Sequence, residues 1–221
     1  MPSRGVPAYG SAMDLSGGVA VRLAALCLDE SGRLAGRMLC GDAVRGGLLL
    51  DLALAQRVES TDDSIVVDPT PTGFPPADRL LAAIAVEPER SLDGWLGERR
   101  LKLRDVADGA ALAGRWELRA GPLGLGRRYA DLRQDETRRD VDRQASAPEP
   151  GWSQADACVT AVAAAGGLLD REGWHPERPG EEVVAATGSV AWLCTAVVDH
   201  LLLAFERYTR QAGALGQVGP F

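Results

Sequence analysis

The stretch that most constrains this chain runs Asp42-Ala-Val-Arg45-Gly-Gly-Leu-Leu-Leu-Asp-Leu-Ala-Leu-Ala-Gln-Arg57, and Asp68-Pro-Thr-Pro-Thr-Gly73 follows it closely. Leu48, Leu49, Leu52, Ala53 and Ala55 form an apolar face at helical spacing. That face is wide enough to predict a buried helix from Asp42, as its cap, to about Gln56. One arginine, Arg45, stands in its first turn. Two readings of Arg45 are open: an internal ion pair with Asp42 or Asp51, or a cation held out for an anionic ligand. Residues 57–59 and 64–67 read as two short strands around Ser60-Thr-Asp-Asp63, with Pro69 and Pro71 ending the second.

The remaining segments are mostly helical. Residues 19–28 are apolar and stop at the turn signal Asp29-Glu-Ser-Gly32. Pro75 and Pro76 open a helix through Leu80, Leu81 and Ile84. Ser91 reads as the N-cap of a short helix carrying Trp95. A helix is predicted over residues 101–116, with Leu101, Leu103, Val106, Ala110, Leu112 and Ala113 as its apolar set. Residues 116–119 and 127–131 flank Gly121-Pro-Leu-Gly-Leu-Gly126, a second hairpin with Leu123 and Leu125 at its tip. Residues 135–143 read as an exposed polar helix, and two long helices follow over 154–169 and 181–210. The expected fold is mainly α: one globular helical domain over residues 19–212 with small β-hairpins, between flexible ends at 1–18 and 213–221.

At 221 residues with 46% hydrophobic content, the chain can bury a core without disulfide or metal staples. Cys27, Cys40, Cys158 and Cys194 lack paired spacing and read as small core residues in a reducing compartment. The longest apolar run, residues 190–205, is interrupted by Asp199 and His200 and reads as a core helix rather than a membrane span. A cytoplasmic protein is expected, with any membrane contact peripheral, at the inner face.

Net charge is −7, which argues against a nucleic-acid partner. Yet residues 99–143 hold 12 Lys or Arg against 8 Asp or Glu, half of all the basic residues. Of the 24 basic residues only Lys102 is a lysine. Arginine suits phosphate through its fixed fork of donors, although the ratio also fits the composition of a high-GC bacterial genome. Leu123 and Leu125, flanked by Arg119, Arg127 and Arg128, make the apolar-plus-cationic combination of a peripheral membrane contact; the rival is a contact with another subunit. No catalytic constellation emerges: there is no G-x-S-x-G elbow, no cysteine has an adjacent base, and His175 and His200 read as structural. No enzyme activity, cofactor or metal is expected.

The helix motif Arg45-Gly-Gly-Leu-Leu-Leu-Asp-Leu-Ala-Leu, the Asp68–Gly73 turn, Leu103-Arg-Asp-Val106 and Arg127-Arg-Tyr129 stand in the order found in the Golgi phosphoprotein 3 family, which this chain resembles over roughly residues 19–169, in the manner of an actinobacterial-type member. The resemblance implies a central helix bundle with amphipathic helices around it. It also implies a phosphatidylinositol 4-phosphate-like headgroup as ligand, membrane-enzyme clients, and a hairpin that meets the bilayer or a second subunit in a homo-oligomer. Arg45 and Arg104 fall on two arginines of the family's headgroup pocket. Gly36 stands where the eukaryotic pattern has a tryptophan, and Ala107 where it has a further arginine. Arg100, Lys102, Arg127 and Arg128 are the candidates to supply the missing charge. The alternative is a soluble oligomeric scaffold with no lipid role.

Overall fold

A helix can be buried on every side only if its polar groups find partners and its neighbours find room. The central helix here meets both conditions. The computed structural model describes residues 14–34, 39–60, 65–98, 100–121, 126–132, 141–145, 148, 151–169 and 175–216. Helix α1 (Val19–Leu26) is buried along its whole length. Helix α2 (Cys40–Leu54) lies against it and is buried from Ala43 to Ala53. The twin glycines of α2 make the room. A Cβ on Gly46 would collide with Val197, and one on Gly47 would lie 2.8 Å from the Ala20 Cα. Without side chains there, two neighbouring helices close onto α2.

Asp51 is fully buried on α2, 0% exposed. Its carboxylate accepts from Val19 N at 2.7 Å and Ala20 N at 3.0 Å, capping α1 from a distance. Burial pushes its pKa up to about 7, against the opposing pull of these N–H groups and Arg22. Arg22, 7% exposed, is paired just as fully. It donates to Asp142 through Nε (3.1 Å) and Nη2 (2.6 Å), and its Nη1 lies 2.9 Å from Asp156.

The chain leaves α2 through an antiparallel pair, β1 (Val58–Ser60) and β2 (Ile65–Val67), with Val58 opposite Val67. Helix α3 (Pro75–Val86) starts on its two prolines. The short α4 (Leu92–Leu96) is capped by Ser91, whose hydroxyl accepts from Gly94 N. Helix α5 (Leu103–Leu112) leads into the hairpin β3 (Trp116–Ala120) and β4 (Arg127–Asp131), in register from Trp116–Asp131 to Ala120–Arg127. Helices α6 (Gln154–Ala165), α7 (Glu181–Ala186) and α8 (Ala191–Gly216) complete the chain. α2 is packed by α1, α6 and α8, with α3, α4 and α5 also against it. One cluster of buried side chains extends from Leu15 to Leu201. The protein is a mainly α single domain, and the four cysteines are buried and unbridged.

Several boundaries differ from the sequence expectation. α2 begins at Cys40, so Asp42 lies inside the first turn rather than capping it. α5 ends at Leu112, which is 78% exposed, because Gly114 turns the chain at φ +68° toward β3. The long helix expected over 181–210 is broken by a 3-10 turn at Gly188–Val190, where Gly188 has φ +61°. Asp142, placed by sequence on an exposed helix, is buried by Arg22. Residues 188–212 are long and apolar enough to cross a membrane by length and composition. The N-terminal half of α8 nevertheless packs Leu193, Cys194, Val197, Val198 and Leu201 into the core. The hairpin tip with Leu123 and Leu125, and Gly36, lie outside the described residues.

Candidate anion-binding site

The turn after α1 is built to hold one side chain outward. Asp29 accepts from Ser31 N (2.8 Å), Ser31 Oγ (2.7 Å) and Arg33 N (2.9 Å), tying the loop into a compact Asx turn. Gly32 stands at φ +76°, and a Cβ there would lie 2.5 Å from the Tyr129 carbonyl oxygen. Only glycine lets the turn dock so closely on β4, where Tyr129 N donates to the Gly32 oxygen at 2.8 Å. The docking sets Arg33 beside Tyr129 and Arg127.

Arg104 reaches the same place from the first turn of α5. Asp105 fixes that helix start by accepting from Lys102 N at 2.7 Å. One turn later Asp108 receives both neighbours on β4: Arg127 Nη1 at 2.8 and 2.9 Å, and the Tyr129 hydroxyl at 2.7 Å. Burial and the Asp108 hydrogen bond raise the Tyr129 pKa, so its hydroxyl stays protonated as a donor. Arg33, Leu34, Arg104, Gly126, Arg127 and Tyr129 line a hollow of about 320 Å³ at the base of the hairpin. Arg33 and Arg104 are exposed, and neither guanidinium is ion-paired with a described residue. With the Arg127–Asp108 pair balanced, the charge of the hollow comes from Arg104 and from Arg33, the latter within electrostatic reach of the Asp29 carboxylate.

Arg45 lies elsewhere, 7% exposed. Its Nε donates to the Leu96 oxygen at 2.6 Å, its Nη1 to the Leu101 oxygen at 3.0 Å, and its Nη2 to Asp42. The internal ion pair with Asp42 is therefore formed, and the two backbone acceptors bracket the loop that leads into α5. Arg45 thus sets the start of the helix that carries Arg104. Asp42 also faces His200, whose Nε2 lies 3.8 Å from Oδ2, while His200 Nδ1 is 2.7 Å from Asp93. The Asp42 and Asp93 carboxylates raise the His200 pKa against the effect of burial.

The other basic candidates are dispersed. Arg100 lines a separate hollow against α3. Lys102 is exposed but lines neither hollow. Arg128 alternates to the other face of β4 from Arg127 and sits opposite Arg119. Ala107 is fully buried on α5. Of the sequence candidates, the hollow therefore brings together Arg104 and Arg127. It adds Arg33, which sequence reasoning passed over because Asp29-Glu-Ser-Gly32 signalled only a turn. No group of His, Cys, Asp and Glu among the described residues is arranged to hold a metal.

The family model for Golgi phosphoprotein 3 (GPP34) matches residues 20–193, from α1 to the start of α8. The chain belongs to the Golgi phosphoprotein 3 family. No curated protein and no solved structure matches it. Both arginines carried over from the family motifs, Arg45 and Arg104, fall inside the matched region, as do Arg33, Arg127 and the hairpin.

Proposed function

We propose that this chain is a peripheral membrane adaptor that takes an anionic phospholipid headgroup, of the phosphatidylinositol 4-phosphate kind, into the hollow beside the β3–β4 hairpin. The observation that carries the reading is the convergence of Arg33 and Arg104, two exposed guanidiniums in no salt bridge among the described residues, on one cavity that also holds Arg127 and Tyr129. A phosphomonoester carries about −1.5 to −2 charge at neutral pH, which draws it to a rim holding several arginines. Their fork-shaped donors suit its oxygens. Arg45 serves as a positioning residue through the Leu96–Leu101 loop. Leu123 and Leu125 supply the apolar anchor at the membrane, and the protein works in the cytoplasm, at the inner face.

Vesicle co-sedimentation tests the proposal. Neutral vesicles, vesicles with phosphatidylglycerol and vesicles with phosphatidylinositol 4-phosphate are compared for wild type, Arg33→Ala and Arg104→Ala. Selective pelleting with phosphatidylinositol 4-phosphate, weakened about fivefold by each change, is expected from a contribution of about 1 kcal/mol per arginine. Equal pelleting with both anionic vesicles would replace the pocket by a surface-charge contact. Absence of pelleting from all three would leave a protein-interaction scaffold.

A further inference from the structure

Three helices meet at one imidazole. His200 of α8 is 8% exposed. Its Nδ1 lies 2.7 Å from Asp93 Oδ1 on α4, and its Nε2 lies 3.8 Å from Asp42 Oδ2 on α2. The other Asp42 oxygen, Oδ1, accepts from Arg45 Nη2. From α2 the ring thus faces Asp42 with Arg45 behind it, and from α4 it faces Asp93. Helices α6 and α7 also pack on α8. Among their described residues Asp156 is paired with Arg22, Cys158 lies against Cys194, and Glu181 and Glu182 are exposed. On α8 itself Asp199 is paired with Arg178. The charge that acts on the ring is therefore that of two carboxylates on two different helices.

Imidazole chemistry gives this junction two states. The charged ring has an N–H on both nitrogens and serves both carboxylates. The neutral ring keeps one N–H, and its other nitrogen presents a lone pair. With the proton on Nδ1, that lone pair faces Asp42; with the proton on Nε2, it faces Asp93. Either way one carboxylate loses its tie to α8, in a shielded place where the loss is felt. The two carboxylates, Asp42 first, hold the His200 pKa above its usual value against burial. The junction is therefore complete below about pH 6.5, the unfolded value, and comes apart as pH rises through the folded one.

The junction leads toward Arg104. Asp93 lies in the first turn of α4, and Leu96 ends that helix. Arg45, on the far side of Asp42, donates to the Leu96 and Leu101 oxygens. Lys102 follows as the N-cap of α5, and Arg104 stands in the first turn of that helix. His200 and Arg45 thus fasten the same segment, residues 92–104, and share Asp42 between them.

We propose that the α2–α4–α8 junction is a proton-controlled clamp on the segment from α4 to α5. The imidazolium of His200 holds that segment, and with it Arg104, in place. Loss of its proton loosens both. The clamp itself needs no ligand, whereas its effect on binding rests on the headgroup reading of the hollow.

Amide hydrogen exchange on the full chain tests the clamp, and vesicle co-sedimentation tests its reach. Between about pH 6 and about pH 8.5, protection of the α4 and first-turn α5 amides, corrected for intrinsic exchange, should fall about fivefold or more in wild type, as loss of a charged hydrogen bond allows. His200→Gln has no proton to lose and should show the same protection at both. Asp93→Asn, at an exposed position, removes one of the two carboxylates and should cut the response by about half or more. Wild type should bind phosphatidylinositol 4-phosphate vesicles about threefold more weakly at the higher pH, although the phosphate gains charge over the same range. His200→Gln should bind no more weakly there. An equal pH response of exchange in wild type and both variants would overturn the clamp. A response in exchange with no weakening of vesicle binding would overturn its reach to Arg104. A wild type that pellets with no vesicle at either pH would remove the headgroup reading, while the exchange result still decides the clamp.

Discussion

Arg22 and Arg45 on one side, and Arg33 and Arg104 on the other, are the same side chain put to opposite uses. The first pair sits inside the helix bundle with acceptors on several sides: Asp142 and Asp156 for Arg22, Asp42 and two backbone carbonyls for Arg45. The second pair lies at the rim of a hollow beside Tyr129, Gly126 and an arginine already paired with Asp108; Asp29, the carboxylate in reach of Arg33, is itself engaged by the Ser31 hydroxyl and the Ser31 and Arg33 backbone N–H groups. Motif membership does not separate the pairs, since Arg45 and Arg104 both sit in family motifs. What separates them is the local supply of acceptors. An arginine surrounded by carbonyls and carboxylates becomes structure, and one without them stays available to a ligand.

That contrast can be broken most forcefully at Arg22. Arg22→Met removes two charged donors from a carboxylate that is 3% exposed, Asp142. Breaking a buried ion pair by removing one member costs about 3–5 kcal/mol, so calorimetry should show melting lowered by about 10 °C. A shift of under about 3 °C would mean that the other contacts of Asp142 hold its charge without Arg22. Arg45→Lys comes next. One ammonium cannot serve the Leu96 and Leu101 carbonyls and Asp42 together, and a loss of about 2 kcal/mol is expected in urea unfolding. Vesicle binding should weaken only in step with that loss. At the surface the pattern inverts: Arg33→Ala and Arg104→Ala should each move stability by less than about 0.5 kcal/mol while lowering vesicle affinity. A large stability loss in either would place it with the structural pair.

The smallest expected effect concerns His200. Its folded pKa is raised, chiefly by Asp42 and then by Asp93, against burial. Its contribution is therefore fully present below about pH 6.5, the unfolded value, and fades as pH rises through the folded pKa. His200→Gln should flatten the stability profile on that alkaline side and leave the acid side as it is. An unchanged slope above pH 6.5 would show that the imidazole carries no linked proton.

Much of the fold was legible where the signal is local. Pro75 and Pro76 opened α3, Ser91 capped α4, and the alternating runs around Trp116 and Arg127 paired as read. What escaped was long-range. Nothing near Arg22 in sequence announces Asp142 or Asp156, 120 and 134 positions away. Asp142 itself sits among charges that read as a solvated helix. The break at Gly188 was hidden because apolar periodicity continues on both sides of it. At the anion site, Arg104 and Arg127 stood out through their motifs, while Arg33 needed the docking of Gly32 on β4, a backbone contact with no side-chain signature.

The cap that Asp51 places on Val19 and Ala20 also bears on the order of folding. α1 has only Gly18 at its N-cap, with no side-chain cap of its own, and eight residues are too few to hold a helix in water unaided. Its first turn is secured by a residue more than thirty positions downstream, so α1 becomes a stable helix only once α2 is in place. The two then form one cooperative unit rather than two successive ones. The amide protons of Val19 and Ala20 should accordingly exchange with solvent at the rate at which α2 opens, which makes them reporters, from the edge of the chain, of the integrity of its centre.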